Sequence, residues 1–163
     1  MAPGDLDPEG FRETLAAYPT GVTVVTAIGP GGPAGATANA VTSLSLDPPM
    51  MLACLDRGSR TLEAVRSAGR FGINALAAGQ ERLALRFAAK DPAPAKWEGV
   101  EWSEREGSPR LADSLMWVAC ELRDLTDGGD HLIATGTVIE AESRQGMPLI
   151  FHRGAYRDLL DES

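Results

Sequence analysis

The spacing of apolar and β-branched positions along the chain predicts a fold built mainly from short strands. Residues 21–28, GVTVVTAI, are rich in β-branched side chains and predict a strand that the glycines and prolines of residues 29–33 bring to an end. A second strand is expected over residues 36–45. A third, over residues 50–55, is nearly all apolar and is therefore expected to be buried on both faces. Later strands are expected at residues 70–76, 115–124, 131–143 and 149–152.

Helical spacing is confined to short segments. Phe11, Leu15 and Tyr18 are four and three residues apart, which predicts a short helix that ends at the following proline. Further helices are expected at residues 59–67 and 80–89, and a loop at residues 91–100. Few helices among many strands with hairpin-length connections predict a mainly-β, α+β domain built around an antiparallel barrel or closed sheet. We expect residues 1–10 to be a flexible leader and residues 11–160 to form this single domain.

The composition and net charge of the chain limit the kinds of molecule that it is expected to bind. The chain has 163 residues, 44% of them hydrophobic, which is enough for one globular domain with its own core. Its net charge of −8 repels phosphates at long range, so nucleic acid and anionic membranes are not expected as partners. No segment approaches the ~18 apolar residues that a membrane helix requires, and the acidic N-terminal segment does not resemble a signal peptide. We therefore expect a cytoplasmic protein.

The sequence does not carry the common motifs of hydrolytic or metal chemistry. It contains no GxSxG or HExxH motif, only two histidines, His131 and His152, and no closely spaced pair of cysteines. No metal site is therefore expected. The two cysteines, Cys54 and Cys120, lie in apolar runs, so we expect both to be buried thiols.

One expected strand is unusually rich in small polar side chains. Thr37, Asn39, Thr42 and Ser43 lie within residues 36–45. In a regular strand, Thr37, Asn39 and Ser43 would share one face. Either this is an edge strand with one solvated face, or its polar side chains form a wall that hydrogen-bonds a flat heterocycle. The segment alone leaves both interpretations open.

The connection after the apolar strand indicates a site for a phosphate. Ser59, Arg60 and Thr61 are expected at a helix N-terminus, where free main-chain N–H groups and the helix dipole attract anions. The guanidinium groups of Arg57 and Arg60 add charged donors nearby. A plain helix cap is the alternative for this segment by itself. Taken with the polar strand, a phosphorylated heterocycle is the better single explanation.

Four segments carry a family resemblance: residues 19–26 (PTGVTVVT), 38–49 (ANAVTSLSLDPP), 128–131 (GGDH) and 153–156 (RGAY). In sequence and order they resemble the signature segments of the flavin reductase-like family, and the similarity extends from Phe11 to Leu159. The resemblance implies an FMN-binding split β-barrel with a few flanking helices. It also implies an NAD(P)H:flavin oxidoreductase, often the reductase component of a two-component monooxygenase, and a homodimer with the flavin near the subunit interface.

The resemblance also implies roles for individual residues. FMN or FAD would be bound by the polar strand, the helix start and one aromatic side chain: Thr37, Ala38, Asn39, Ala40, Val41, Thr42, Ser43, Ser59, Arg60, Thr61 and Phe87. NADH or NADPH would be bound by Pro19, Thr20, Gly21, His131, Arg153 and Tyr156. His131 is the catalytic candidate, as a group that steers the nicotinamide or donates a proton.

Three functions are compatible with these residues. The resemblance favours a reductase that transfers a hydride from NAD(P)H to FMN or FAD and supplies reduced flavin to a partner monooxygenase. The first alternative is a flavoprotein that keeps FMN bound and acts directly on an organic substrate. The second is a non-catalytic flavin- or haem-binding module. The choices between FMN and FAD, and between NADH and NADPH, stay open at this point.

Overall fold

The computed structural model describes residues 6–159, in which short strands outnumber helices. The helices are α1 (Pro8–Ala16), α2 (Arg60–Ala68), α3 (Glu81–Ala88) and α4 (Ala93–Trp97). The strands are β1 (Thr20–Gly21), β2 (Thr23–Gly29), β3 (Gly32–Ala38), β4 (Val41–Leu46), β5 (Pro49–Asp56), β6 (Arg70–Ala75), β7 (Trp102–Arg105), β8 (Ser108–Leu111), β9 (Met116–Gly128), β10 (His131–Ser143), β11 (Leu149–His152) and β12 (Ala155–Asp158). Residues 1–5 of the expected leader and residue 160 of the expected domain lie outside the described residues.

The N-terminal helix starts inside the segment that we expected to be a leader. α1 begins at Pro8, and the Asp7 side chain caps it by accepting hydrogen bonds from the N–H groups of Glu9 and Gly10. None of the helices in residues 6–159 is long and apolar enough to cross a membrane.

Seven strands form one sheet whose two edges are neighbours in sequence. The strand order is β3-β2-β6-β9-β10-β5-β4, and every pairing is antiparallel. Only Asn39 and Ala40 join the edge strands β3 and β4, so the sheet must curl until its edges approach each other. A three-stranded sheet of order β1-β11-β12 and the β7–β8 hairpin complete the described strands. The expected architecture, an antiparallel barrel with a few flanking helices, is confirmed.

The expected strand over residues 36–45 is wrong in part, because the chain turns within it and divides it between β3 and β4. Asn39 and Ala40 separate β3 from β4. At this turn the Val41 N–H donates to the Asn39 carbonyl at 3.0 Å, and the Cys54 N–H donates to the Ala40 carbonyl at 2.9 Å. The turn interrupts the alternation of faces, so the polar side chains on its two sides do not form one continuous wall.

The expected loop over residues 91–100 is wrong in part, because it contains α4. Pro92 and Pro94 flank the first residues of this helix, where their fixed φ angles are compatible with a helical start. Strands β7, β8 and β12 were not expected, because each has only four residues and none is an apolar run like that of β11.

Two clusters of buried side chains hold these elements together. One lies between the large sheet and α2 and includes Val65, Phe71 and Ile73. The other includes Phe87 of α3 and Trp97 of α4, and both of these helices contact β3. Burial of such apolar area is the main favourable contribution to folding. The second cluster therefore fixes α3 and α4 beside the β3–β4 turn.

Candidate functional site

A cleft of about 770 Å³ opens where the β3–β4 turn meets the start of α2. This volume is in the range typical of small-molecule sites. Its walls come from β3 and the turn after it, the end of β5, the start of α2, the end of α3, α4, the start of β10 and the β11–β12 pair. It brings together ten of the residues that we expected at a site: Thr37, Ala38, Asn39, Ala40, Ser59, Arg60, Thr61, Phe87, His131 and Tyr156.

The wall of the cleft that β3 forms consists mainly of small side chains and main-chain atoms, with few free polar groups. The Thr37 hydroxyl donates to the Ala84 carbonyl at 2.6 Å, so it holds α3 against β3. Ala38 and Ala40 add only methyl groups, and Asn39 is exposed at the turn. Small side chains let a flat ligand approach the backbone closely.

Three residues of the expected polar wall lie elsewhere. Val41, Thr42 and Ser43 belong to β4 and do not line this cleft, and the latter two are exposed. The physical reason is the turn at Asn39 and Ala40, which redirects the chain before these residues. Their assignment to the flavin stays a prediction.

The start of α2 combines a helix cap with positive charge. The Ser59 side chain accepts hydrogen bonds from the N–H groups of Thr61 at 3.1 Å and Leu62 at 3.4 Å. Arg60 lines the cleft and its Nη1 donates to the Asp91 carbonyl at 3.1 Å. Because the cap accepts with its oxygen, the Ser59 hydroxyl proton remains available to donate. The cap and the anion site are therefore compatible interpretations.

We expected the guanidinium of Arg57 to add a donor near a phosphate, and the structure places it elsewhere. It does not line the cleft. Its Nε donates to the Gly129 carbonyl and its Nη2 to Asp127 Oδ1, both at 2.7 Å. Arg57 therefore binds the β9–β10 hairpin instead.

Helix α4 adds two residues that the sequence analysis misses. Lys96 Nζ donates to the carbonyls of Phe87 at 3.2 Å and Gly35 at 3.4 Å, and it lines the cleft. Burial is the main cause that lowers the pKa of Lys96, and the nearby Arg60 lowers it further, while Asp91 opposes the shift. Trp97 lines the same wall. The only signal for α4 is a pair of prolines before KW, which is too short for a helical period.

Aromatic side chains border the cleft in two places. The Phe87 ring packs edge-on against Trp97, with ring centroids 4.9 Å apart. Phe151 packs against Tyr156 with ring centroids 5.4 Å apart. Partial burial raises the pKa of Tyr156, so its hydroxyl keeps its proton at neutral pH. The cleft therefore offers flat apolar surfaces beside its cationic groups.

His131 begins β10 and lines the cleft beside the end of β5. It pairs with Asp56 across the sheet, and its Nδ1 lies 2.7 Å from Asp130 Oδ1. The hydrogen bond from His131 is the main cause that lowers the pKa of Asp130. Because Asp130 engages Nδ1, the Nε2 atom is the ring nitrogen left for a ligand.

The remaining nicotinamide candidates lie outside the cleft. Pro19, Thr20 and Gly21 do not line it, although β1 pairs with β11, which carries Phe151. Arg153 lies in the β11–β12 turn with a φ of 51°, and its N–H donates to the Ala16 carbonyl at 2.9 Å. The roles of Pro19, Thr20, Gly21 and Arg153 stay predictions.

The two cysteines differ in their surroundings. Cys120 is buried, and desolvation raises its pKa to about 12, so its thiol is unreactive at neutral pH. Cys54 is only half-buried and lines the cleft, which differs from the expectation that both thiols are buried. In residues 6–159 no group of three or more His, Cys, Asp or Glu side chains could hold a metal ion.

Comparison with known proteins assigns the chain to a family. The model of the family described as Flavin reductase like domain matches residues 15–160. The chain belongs to this flavin reductase family.

The relatives of this flavin reductase family member include proteins that are named as flavin reductases or as reductase subunits of monooxygenases. The flavin-dependent monooxygenase reductase subunit HsaB of Rhodococcus jostii (strain RHA1) is 40% identical over 153 residues, which cover 93% of this chain and 77% of that protein. The flavin reductase (NADH) of Kitasatospora aureofaciens is 38% identical over 162 residues, which cover 96% of this chain and 84% of that protein. A solved structure, the Streptomyces globisporus C-1027 NADH:FAD oxidoreductase SgcE6 in complex with NAD and FAD fragments, matches with a TM-score of 0.89 and 33% identity, covering 97% of this chain and 98% of that chain.

The described residues fit the flavin that the flavin reductase family implies. The start of α2, Arg60 and Lys96 provide positive potential for a phosphate. The small side chains of residues 37–40 leave main chain open to a flat ring, and Phe87 borders the same space. A flavin mononucleotide has both of these parts, a flat ring and a phosphate.

Proposed function

We propose that this chain is an NAD(P)H-dependent flavin reductase that transfers a hydride from the nicotinamide to FMN or FAD. The observation that carries this proposal is the single cleft shared by the β3–β4 turn, the start of α2 and His131. A bound flavin supplies the electron-accepting ring, so this chain's own residues need only bind, orient and shield the two nucleotides. The names of the relatives, a monooxygenase reductase subunit and an NADH-dependent flavin reductase, favour the reductase over the two alternatives.

In this proposal the flavin phosphate is bound at the start of α2. Ser59 would donate its hydroxyl proton, and Arg60 and Lys96 would contribute charge-assisted donors. Thr61 is buried beside them, 3% exposed. Burial and Arg60 lower the pKa of Lys96. An anionic phosphate beside Lys96 would act in the opposite direction and favour its charged form.

The flavin ring would lie against the main chain of residues 37–40. Their small side chains and the turn at Asn39 and Ala40 leave backbone groups accessible to a flat heterocycle. Phe87 would border the ring from α3. Main-chain N–H groups held in a turn can stabilise negative charge on a ring with little reorganisation.

The nicotinamide would be held by His131 and Tyr156. His131 presents Nε2 because Asp130 engages Nδ1, and Tyr156 keeps its hydroxyl proton. Both side chains line the cleft. We assign His131 a steering or proton-donating role, because hydride transfer between two cofactors requires no protein nucleophile.

We further propose a cytoplasmic homodimer that delivers reduced flavin to a separate monooxygenase. The homodimer is supported by Leu44 and Leu46 on edge strand β4, which are 48% and 88% exposed. Two free thiols, Cys54 and Cys120, are compatible with a reducing compartment. The monooxygenase is supported by the HsaB relative, which is named a reductase subunit.

The experiment that tests the function is an oxidation assay for NADH and NADPH with FMN, FAD or riboflavin added. We expect oxidation that depends on added flavin. Nicotinamide oxidation that is absent with every flavin would contradict the reductase. The flavin that gives the highest kcat/KM identifies the preferred substrate.

Gel filtration of protein loaded with FMN separates the reductase from a flavoprotein that retains its cofactor. We expect the protein to lose its yellow colour on the column, because a reductase that supplies a partner must release its flavin. A protein that stays yellow and oxidises NADH only when an organic substrate is added would favour the retained-FMN alternative.

A further inference from the structure

Arg57 connects the two sides of the cleft without lining it. Its main-chain N–H donates to the Asp130 carbonyl at 3.1 Å. Its side chain donates from Nε to the Gly129 carbonyl and from Nη2 to Asp127 Oδ1, both at 2.7 Å. One residue therefore forms three hydrogen bonds to the tip of the β9–β10 hairpin, residues 127–130, immediately before His131.

The segment around Arg57 is the one that leads into α2. The Asp56 side chain accepts from the Gly58 N–H at 2.7 Å, and the Asp56 carbonyl accepts from the Ser59 N–H at 3.0 Å. These bonds shape the connection between the end of β5 and the cap of α2. Arg57 lies inside this connection, so the phosphate side of the cleft and the hairpin that carries His131 are bonded directly to each other.

We propose that Arg57 is a positioning residue for hydride transfer: it holds the hairpin of residues 127–131, and with it His131, at a fixed place relative to the start of α2. The inference rests on the proposed function and deepens it. A guanidinium suits this role because its planar fork can satisfy a carbonyl and a carboxylate at the same time, which a lysine ammonium does not do in the same geometry.

Because the ion pair between Arg57 and Asp127 is exposed to solvent, a positioning role of Arg57 can be distinguished from a contribution to stability. The Arg57 side chain is 46% exposed and that of Asp127 is 84% exposed, so their ion pair adds little to the free energy of unfolding. Loss of Arg57 should therefore loosen the hairpin without unfolding the barrel. We expect His131 to be held less firmly as a result, and His131 is the residue of the hairpin that lines the cleft.

The kinetic test compares Arg57→Gln with Arg123→Gln, which removes the same charge from an exposed position on β9. Arg57→Gln removes both side-chain bonds to the hairpin. We expect it to raise the KM for NADH about fivefold, because it weakens the contact of His131 with the nicotinamide without removing it, and to leave the Kd for FMN within about twofold. Asp127→Asn, which keeps the bond to Gly129, should show a smaller change in the same direction. Arg57→Lys should fall between wild type and Arg57→Gln.

Hydrogen exchange provides a second readout that does not depend on turnover. In the free protein, the amides of residues 127–131 should exchange on the order of tenfold faster in Arg57→Gln than in wild type, while those of β6 stay unchanged. Unchanged exchange in the hairpin would overturn the inference. So would an unchanged KM for NADH, an equal rise in Arg123→Gln, or an equal loss of FMN affinity.

The two levels of the proposal fail in different ways. If the wild-type protein shows no flavin-dependent oxidation of NADH or NADPH, the proposed function fails and the inference fails with it. If the wild-type protein is active and Arg57→Gln matches it in KM and in hairpin exchange, only the role of Arg57 fails.

Discussion

His131 lines the cleft from the start of β10, yet it belongs to neither segment that we assign to the flavin. We predict that His131→Ala raises the KM for NADH about tenfold, the effect of one lost hydrogen bond to a polar ligand group, and leaves the Kd for FMN within about twofold. Steady-state kinetics with NADH as the varied substrate and a fluorescence titration with FMN measure the two quantities.

The second histidine provides the matched control. His152 lies on β11 and does not line the cleft, so His152→Ala should leave both constants unchanged. The role of His131 would be contradicted by equal changes in the two variants, or by a parallel loss of FMN affinity in His131→Ala.

Substitution of Arg60 tests whether the phosphate and the ring of the flavin are bound by different parts of the cleft. It is the cleft-lining arginine in the first turn of α2. Because a hydrogen bond to a charged group contributes about 1.5–3 kcal/mol, Arg60→Gln should raise the Kd for FMN at least about tenfold. Riboflavin lacks the phosphate, so its Kd should change less than about twofold. Calorimetric titrations with the two flavins make the comparison.

Arg66 allows the charge effect to be controlled on the same helix. It lies in the last turn of α2, away from the cleft. Arg66→Gln removes the same charge and should leave FMN affinity unchanged. A phosphate site at the start of α2 is ruled out if Arg60→Gln weakens riboflavin and FMN by the same factor.

At the scale of elements, the packing of α3 and α4 on β3 depends on Gly35. A Cβ atom at this position would lie 2.8 Å from the Phe87 ring and 3.2 Å from Trp97. We predict that Gly35→Ala lowers the free energy of unfolding by about 1–3 kcal/mol, the usual cost of overpacking, and weakens FMN binding because the wall of the cleft has to shift. Chemical denaturation and an FMN titration measure these effects.

Gly31→Ala is the control for this substitution. Gly31 lies in the turn between β2 and β3, and a Cβ atom there would meet nothing within 4 Å. The variant should retain the stability and FMN affinity of the wild type. If Gly35→Ala also retains both, the aromatic wall is more adaptable than its close contacts imply.

Local pattern was enough to predict the elements with strong periodicity. The β-branched run of β2, the apolar run of β5 and the capped helix α2 were recognisable because each carries its own signal. The turn at Asn39 and Ala40 was not, because neither residue is a proline or glycine and the side chains on both sides suit a strand. Its position follows from the pairing of β3 with β2 and of β4 with β5, and these pairings are not visible in the pattern of residues 36–45 alone.

The site could be predicted in part for the same reason. Ser59, Arg60 and Thr61 follow directly from the helix start, and the structure places them in one cleft with residues 37–40. Lys96 could not be predicted, since α4 is only five residues long and reaches the cleft through tertiary packing of Trp97. Arg57 and Arg60 carry the same charge, so the sequence does not distinguish them. The Arg57 side chain binds the β9–β10 hairpin instead of lining the cleft, and the position of that hairpin depends on the tertiary fold.

At the scale of the whole molecule, closure of the sheet creates the cleft and an exposed edge together. β3 and β4 are the two edges, and the turn that joins them lines the cleft. β4 pairs only with β5 among the described strands, so its outer edge carries unpaired main-chain groups beside exposed leucines. Such an edge favours association with another chain unless it is protected.

The oligomeric state tests what covers this edge. Leu46 is 88% exposed on β4, and Leu44 beside it is 48% exposed, so we predict that the wild-type protein is a dimer in solution. Leu46→Lys should shift it towards the monomer, because a charge would have to be buried in the interface. Light scattering after gel filtration measures the mass. Leu85→Lys, which alters an exposed leucine on α3, should leave the dimer intact. A monomeric wild type, or a dimer that is equally stable in Leu46→Lys, would mean that this edge is not the interface.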